Sequence, residues 1–312
     1  MLNFLYCFDK NYNIQALISI SSLLKNLEEK VNISIIHDNP NSFKNNYLPK
    51  LNNSKANFNF YKFKDYDYDF PRLKNSHISM ATYYRIFLDK YLEKNFNTVF
   101  YLDADTVVNK NISEELQIVN KQILEKNILF AASSEVDSIK SINRLNMVNN
   151  RYFNAGVMAI NLNKWRNIDV QNKSLETMKL KYDDILWWDQ DVLNTVCDGD
   201  YLELDLNLNF RANFDTFEDN ENIKIYHFLG DLKPWNPETV GSTYSDIYQN
   251  EYREITNKKY HLEFKNKSFK RSYNKLIKFG KIKEIDFPIN FMLLFIGKFF
   301  KYIIKKFYLK FL

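Results

Sequence analysis

The stretch Val99-Phe100-Tyr101-Leu102-Asp103-Ala104-Asp105 begins with four apolar or aromatic residues and closes on two carboxylates two positions apart. A short apolar run with a polar stop predicts a fully buried strand over Thr98–Leu102 that ends at Asp103. In an extended chain positions i and i+2 lie on one side, so the strand would deliver Asp103 and Asp105 together at its carboxyl end. Paired hard oxygen ligands suit Mg²⁺ or Mn²⁺, and such an ion can neutralise the diphosphate of a nucleotide donor. Aspartate is also a common turn former at strand ends, and the residue types alone leave both readings open.

Outward from this strand, short aromatic and β-branched runs alternate with helical patterns. Strands are predicted over Leu2–Phe8, Ile33–His37, Asn57–Phe63, Ile128–Ala132, Val157–Asn161, Tyr201–Asn207 and Lys224–Phe228. Helices are predicted over Ile14–Leu27, Ile78–Leu92 and Asp189–Val196. Strands separated by helices, without internal repeats, argue an α/β fold with a mainly parallel central sheet. In such sheets ligands gather beyond the carboxyl ends of the strands. The chain has 312 residues, 45% hydrophobic and 26% charged, enough for a full core and incompatible with a disordered or collagen-like chain. Two cysteines, Cys7 and Cys197, exclude a disulfide framework or a Cys-rich zinc site and point to a reducing compartment, the cytoplasm.

The net charge of +5 conceals a division. Residues 258–312 carry fifteen Lys/Arg against three Asp/Glu, whereas residues 1–257 are acidic. We divide the chain into a catalytic domain over 1–257, a basic helical connector over 258–286 and an amphipathic segment over 287–312. In the last, Lys298, Lys301, Lys305, Lys306 and Lys310 oppose Phe300, Ile303, Ile304, Phe307 and Phe311 on a helical wheel. A cationic, aromatic-rich face of this kind suits an anionic lipid surface rather than nucleic acid. The opening residues lack a basic leader and cleavage site, and no segment reaches the roughly 18 continuous apolar residues of a spanning helix. The expected location is therefore cytoplasmic and peripheral, on the inner face of the cytoplasmic membrane.

Four further segments accompany the carboxylate pair. Asn75-Ser76-His77-Ile78-Ser79-Met80-Ala81-Thr82-Tyr83-Tyr84-Arg85 precedes it, and Tyr152-Phe153-Asn154-Ala155-Gly156 follows. Then come Trp188-Asp189-Gln190-Asp191 and His227-Phe228-Leu229-Gly230-Asp231-Leu232-Lys233-Pro234-Trp235. In this order and spacing, over residues 1 to about 240, they resemble the family 8 retaining glycosyltransferases, especially the bacterial lipopolysaccharide galactosyl- and glucosyltransferases.

The resemblance implies the GT-A nucleotide-diphosphosugar transferase fold and dependence on Mn²⁺, with Mg²⁺ as the alternative. By position, Asp103, Asp105 and His227 look like the metal ligands. Asp9, Asn11 and Tyr12 look like the uridine-binding segment, Arg85 reaches toward sugar or phosphate, and Asn154 and Gly156 line the donor sugar pocket beside Asp103. Gly230 and Lys233 are placed for the donor phosphates, the lysine as a point charge. Asp189 would bind sugar hydroxyls. Gln190 lies nearest the reacting face and is a poor nucleophile, which favours front-side transfer, while Asp191 remains the carboxylate candidate. His37 and His77 read as structural or nucleotide-proximal, Cys7 as buried, and Trp165, Trp187 and Trp188 as core or pocket wall.

The resemblance thus implies a retaining hexosyltransferase that moves galactose or glucose from UDP-Gal or UDP-Glc to a lipid-linked surface glycan such as lipopolysaccharide or lipooligosaccharide. Two other classes fit parts of the sequence. Asp103-Ala104-Asp105-Thr106 matches the strand-borne motif of haloacid-dehalogenase-type phosphatases, with Gly199, Asp200 and Asp205 imitating their late acidic motif, although their nucleophile strand usually opens the domain. A non-catalytic glycan- or lipid-binding protein is disfavoured by an intact metal triad.

Overall fold

A computed structural model of the chain describes residues 1–64, 68–71, 79–214, 221–236, 239–258, 260–263 and 300. His77 and nearly all of the basic connector and amphipathic tail lie outside the described residues. Two compact units are present, Met1–Arg211 with Asn220–His227, and Ala212–Asp219 with Phe228–Leu312.

The first unit is built on strands β1 (Asn3–Phe8), β2 (Val31–His37), β3 (Ala56–Lys62), β4 (Thr98–Leu102), β5 (Thr106–Val108), β6 (Phe130–Ser134), β7 (Phe153–Asn161), β8 (Tyr201–Glu203), β9 (Phe210–Arg211) and β10 (Ile225–His227). Its helices are α1 (Asn13–Asn26), α2 (Pro40–Asn46), α3 (Ser113–Glu125), α4 (Ile139–Arg144), α5 (Leu162–Asn167), α6 (Val170–Leu180) and α7 (Trp188–Cys197). Seven strands form the main sheet in the order β3-β2-β1-β4-β7-β6-β8. Only β7 runs against the rest, antiparallel to both β4 and β6. The mainly parallel α/β sheet read from the sequence is therefore the observed one.

This reversal decides where the site forms. Because Leu102 pairs with Val157, the start of β7 lies at the carboxyl end of β4. The Asp103 amide donates to the Gly156 carbonyl at 2.7 Å, so the carboxylate pair leaves the sheet against that glycine. A small sheet, β5-β10-β9, then fixes the next turn of chain. In it His227 pairs with Thr106, one residue beyond Asp105.

Helix α1 holds this edge in place. Its apolar residues Ala16, Leu17, Ile20, Leu23 and Leu24 are buried, and its polar residues Ser19, Ser22 and Asn26 form a separate stripe at helical spacing. Ser19 Oγ meets Thr106 Oγ1 at 2.7 Å, Ser22 Oγ accepts from the Val108 amide, and Asn26 Nδ2 donates to the Val108 carbonyl. On the edge of β5 away from β10, backbone and hydroxyl groups thus find their partners on α1. The other face of the main sheet packs Phe87, Phe130, Phe153 and Trp165 into one buried cluster.

Two sequence expectations are corrected. The segment predicted as a helix over Ile78–Leu92 is a 3₁₀ helix over Met80–Lys90, an unusually long one. The alternation read as a strand over Tyr201–Asn207 stops at Glu203, because Asp205 accepts from the Asn207 amide and opens a 3₁₀ turn over Leu206–Asn209.

The described part of the second unit centres on α8 (Thr243–Thr256), capped by Ser242, whose side chain accepts from the Ser245 amide. Tyr248, Gln249, Trp235 and His261 pack together there, with Tyr248 Oη 2.7 Å from His261 Nδ1.

Candidate functional site

Asp103, Asp105 and His227 converge. His227 Nε2 lies 3.6 Å from Asp103 Oδ2 and 3.5 Å from Asp105 Oδ1. One ligand atom from each of the three falls within 4.8 Å of the others. The ring is fully buried, and its Nε2 has no hydrogen-bond partner although it points at two carboxylates. Its Nδ1 is 2.9 Å from Asn209 Oδ1. Gly156 closes the site: a Cβ there would stand 1.9 Å from His227 Cε1 and 2.8 Å from Asp103 Oδ2.

This donor set fits a divalent cation. Two carboxylate oxygens and one imidazole nitrogen suit Mn²⁺ better than Mg²⁺, which prefers an all-oxygen shell. With protein groups alone, burial opposes a charge on His227, but Asp103 and Asp105 outweigh it and raise the imidazole to about 9.

A second network joins this cluster to the helix carrying Asp189. The 3₁₀ geometry of Met80–Lys90 eclipses positions i and i+3, so Thr82 and Arg85 point the same way. Both grip Asp189: Thr82 Oγ1 donates to Oδ1, and Arg85 Nε pairs with Oδ2. Arg85 also donates through Nη1 to the Ala155 carbonyl, lies with Nη2 3.5 Å from Asp103 Oδ1, and stacks over the Tyr101 ring at 4.0 Å. Burial works against its charge, yet Asp189, Tyr101 and Asp103 hold the guanidinium above its ordinary value. Burial pushes Asp189 up to about 6 against the pull of Arg85 and Thr82. Tyr101 donates its hydroxyl to Asp103 Oδ1 at 2.6 Å and fixes the orientation of that carboxylate.

Gln190 and Asp191 differ sharply in their surroundings. The Gln190 amide is held by the Ala155 N–H on its oxygen, at 3.0 Å, and donates to Tyr152 Oη at 3.2 Å. Asp191 is wholly buried, and both its oxygens are engaged. Oδ2 accepts from Arg144 Nη1 and from the amides of Leu186 and Trp187, at 2.7 to 2.8 Å. Oδ1 accepts from Tyr152 Oη at 2.7 Å and Arg144 Nη2 at 3.2 Å. A carboxylate so engaged braces the turn into α7.

In the segment read as uridine-binding, Asp9 is buried and uses its carboxylate on Asn11, accepting from the backbone amide at 2.8 Å and from Nδ2 at 3.3 Å. Tyr12 follows at the end of this capped turn. His37 is structural: its Nε2 meets Asn13 Oδ1 at 2.9 Å and its Nδ1 accepts from the Asn39 amide. Asn154 is nearly fully engaged, accepting from Gly156 N and Asn209 Nδ2 and donating to Glu135. Gly230, with φ +72°, and Lys233, which donates to the Phe228 carbonyl, belong to the second unit.

Sequence reasoning assigned no role to Tyr101, Thr82, Tyr152, Arg144 or Asn209. Strand alternation could have found Tyr101, which stands two residues before Asp103 on the same side. Asn209 carries no local signal.

Residues 3–239 match Glycosyl transferase family 8. A Haemophilus influenzae protein named as a glycosyltransferase is 29% identical over 247 residues, covering 75% of this chain and 73% of that protein. A lipopolysaccharide 1,2-glucosyltransferase of Escherichia coli is 27% identical over 270 residues, covering 78% of this chain and 76% of the relative. Among solved structures, the galactosyltransferase LgtC in complex with donor and acceptor sugar analogs has a TM-score of 0.70 at 21% identity, covering 82% of this chain and 96% of that one. That last likeness is one of fold.

Proposed function

This chain belongs to Glycosyl transferase family 8, and from that premise we propose that it is a metal-dependent retaining hexosyltransferase. It takes galactose or glucose from a UDP-sugar and delivers it to a lipid-linked surface glycan of the lipopolysaccharide type. The observation that carries this reading is the Asp103–Asp105–His227 cluster, with the bare His227 Nε2 facing both carboxylates at the carboxyl end of β4.

Asp103, Asp105 and His227 would hold a divalent cation, Mn²⁺ or Mg²⁺, which would supply positive charge against the diphosphate of the donor. The remaining roles fall to the chain. Tyr101 and Arg85 orient Asp103, and Arg85 and Thr82 hold Asp189, the group for sugar hydroxyls. Gln190, aligned by Ala155 and Tyr152, presents an amide at the sugar's reacting face, where it steadies charge rather than attacking carbon. Retention then follows from front-side attack by the acceptor. Asp9, Asn11 and Tyr12 receive the uridine, and Gly230 and Lys233 the phosphates. Among the described residues no helix is long and apolar enough to cross a membrane. The basic, aromatic-rich tail supports contact with anionic lipid at the inner face of the cytoplasmic membrane, where a lipid-linked acceptor is within reach.

The test is UDP release from UDP-Gal, UDP-Glc and UDP-GlcNAc with Mn²⁺, with Mg²⁺ and in EDTA, with products weighed by mass spectrometry. Release from a hexose donor that stops in EDTA is expected. Metal-independent release, or phosphate as the only product, overturns the reading. Asp103→Asn and Asp105→Asn should each lower Mn²⁺-dependent release by at least about a hundredfold, since each removes a charged ligand at nearly constant shape.

A further inference from the structure

We infer that Asn209 is a positioning residue for the metal-ligating histidine, and that it fixes which nitrogen of His227 is bare. This rests on reading the Asp103–Asp105–His227 cluster as a metal site.

The assignment follows from one backbone group whose polarity is fixed. The Gly156 N–H can only donate, and it lies 3.0 Å from the side chain of Asn154, so that atom of Asn154 is the oxygen. The Asn154 NH₂ then faces Glu135 Oε1 at 2.8 Å, where a carboxylate can only accept. Asn209 meets the same Asn154 oxygen at 3.1 Å and must therefore present its NH₂ there. Its own oxygen is left facing His227 Nδ1 at 2.9 Å. An amide oxygen only accepts, so Nδ1 carries hydrogen, and the lone pair of the neutral ring sits on Nε2, facing the two carboxylates. Arg211, which pairs with Glu135 Oε2, anchors the far end of the relay.

The members are held by three different elements, so the alignment does not depend on one loop. Asn154 and Gly156 belong to β7, Asn209 ends the 3₁₀ turn before β9, and His227 ends β10. Asn209 and His227 are fully buried, so water does not replace a lost partner cheaply. Partners one step removed from a metal commonly set ligand orientation, and their loss lowers metal affinity by about 10- to 100-fold.

The experiment compares wild type, Asn209→Leu and Asn209→Asp in the full chain. It reads Mn²⁺ affinity by titration calorimetry and electron paramagnetic resonance, and Tm in EDTA. Asn209→Leu keeps the size and removes the acceptor, and should weaken Mn²⁺ binding by about tenfold or more. Asn209→Asp keeps an acceptor on Nδ1 but loses the donor to Asn154 Oδ1, and should bind Mn²⁺ more tightly than Asn209→Leu. Equal Mn²⁺ affinity in wild type and Asn209→Leu overturns the relay. A wild type that binds neither Mn²⁺ nor Mg²⁺ overturns the metal reading itself, which separates the two failures. Should Asn209→Leu not fold, the ¹⁵N spectrum of histidine-labelled, Mg²⁺-loaded wild type decides. Hydrogen on Nδ1 of His227 supports the assignment, and hydrogen on Nε2 overturns it.

Discussion

Gly156→Ala is expected to give a folded protein that no longer holds a divalent cation between Asp103, Asp105 and His227. The glycine is needed for space. The added Cβ would stand 1.9 Å from His227 Cε1, 2.7 Å from Nε2 and 2.8 Å from Asp103 Oδ2, all below any tolerable contact. The ring has nowhere to withdraw, because Asn209 holds its Nδ1 and β10 is paired on both sides, to β5 and β9. Overpacking of this kind costs about 1–3 kcal/mol, against roughly 5–15 kcal/mol of total stability, so the fold should survive. The methyl group occupies the space between two ligands, and Mn²⁺-dependent UDP release should fall by at least about a hundredfold. Titration with Mn²⁺ and a melting curve in EDTA check the two halves separately. Wild-type metal affinity in this variant would show that the cluster relaxes in a way the structure does not suggest.

The parts of this site that could be read from sequence are those whose signal is local. Thr98–Leu102 is an apolar run with a polar stop, so both the strand and the carboxylates at its end were evident, and the helix carrying Asp189–Asp191 followed from its period. His227 was legible only through the Gly230, Lys233, Pro234 and Trp235 that follow it, since a histidine ending a three-residue strand has no pattern of its own. The sequence did not reveal that Met80–Lys90 would be 3₁₀ rather than α, yet that choice brings Thr82 and Arg85 together on Asp189. Tertiary packing decides it, and apolar spacing is too coarse to separate the two helices. Asn209 was invisible for another reason. Its partners lie 18 and 55 residues away, and neither distance leaves a periodic trace.

Asp191 stands beside Gln190, and its buried carboxylate is engaged on both oxygens. Asp191→Asn is expected to lower Tm by several degrees and to reduce activity together with it, because an amide cannot satisfy five donors. Arg144 through both Nη atoms, Tyr152 Oη and the amides of Leu186 and Trp187 all donate to this buried carboxylate. An NH₂ must face one group of them. Turned toward Oδ2 it opposes two backbone amides, which have no second choice of polarity. Turned toward Oδ1 it opposes Arg144 Nη2 and forces the Tyr152 hydroxyl to reverse, while Gln190 Nε2 already donates to that oxygen. Either arrangement removes the charge opposite half-buried Arg144, and the second also loosens the hold on Gln190. Arg144→Met supplies the control. Arg144 reaches Asp191 from α4, and its loss strands the same buried charge and should depress Tm and kcat in parallel. A carboxylate acting directly on the sugar would behave differently: Asp191→Asn would keep the wild-type Tm and donor binding while transfer stopped, and Arg144→Met would retain most of its turnover at temperatures where it is folded. Melting curves and steady-state kinetics of the two variants therefore separate a bracing carboxylate from a reacting one.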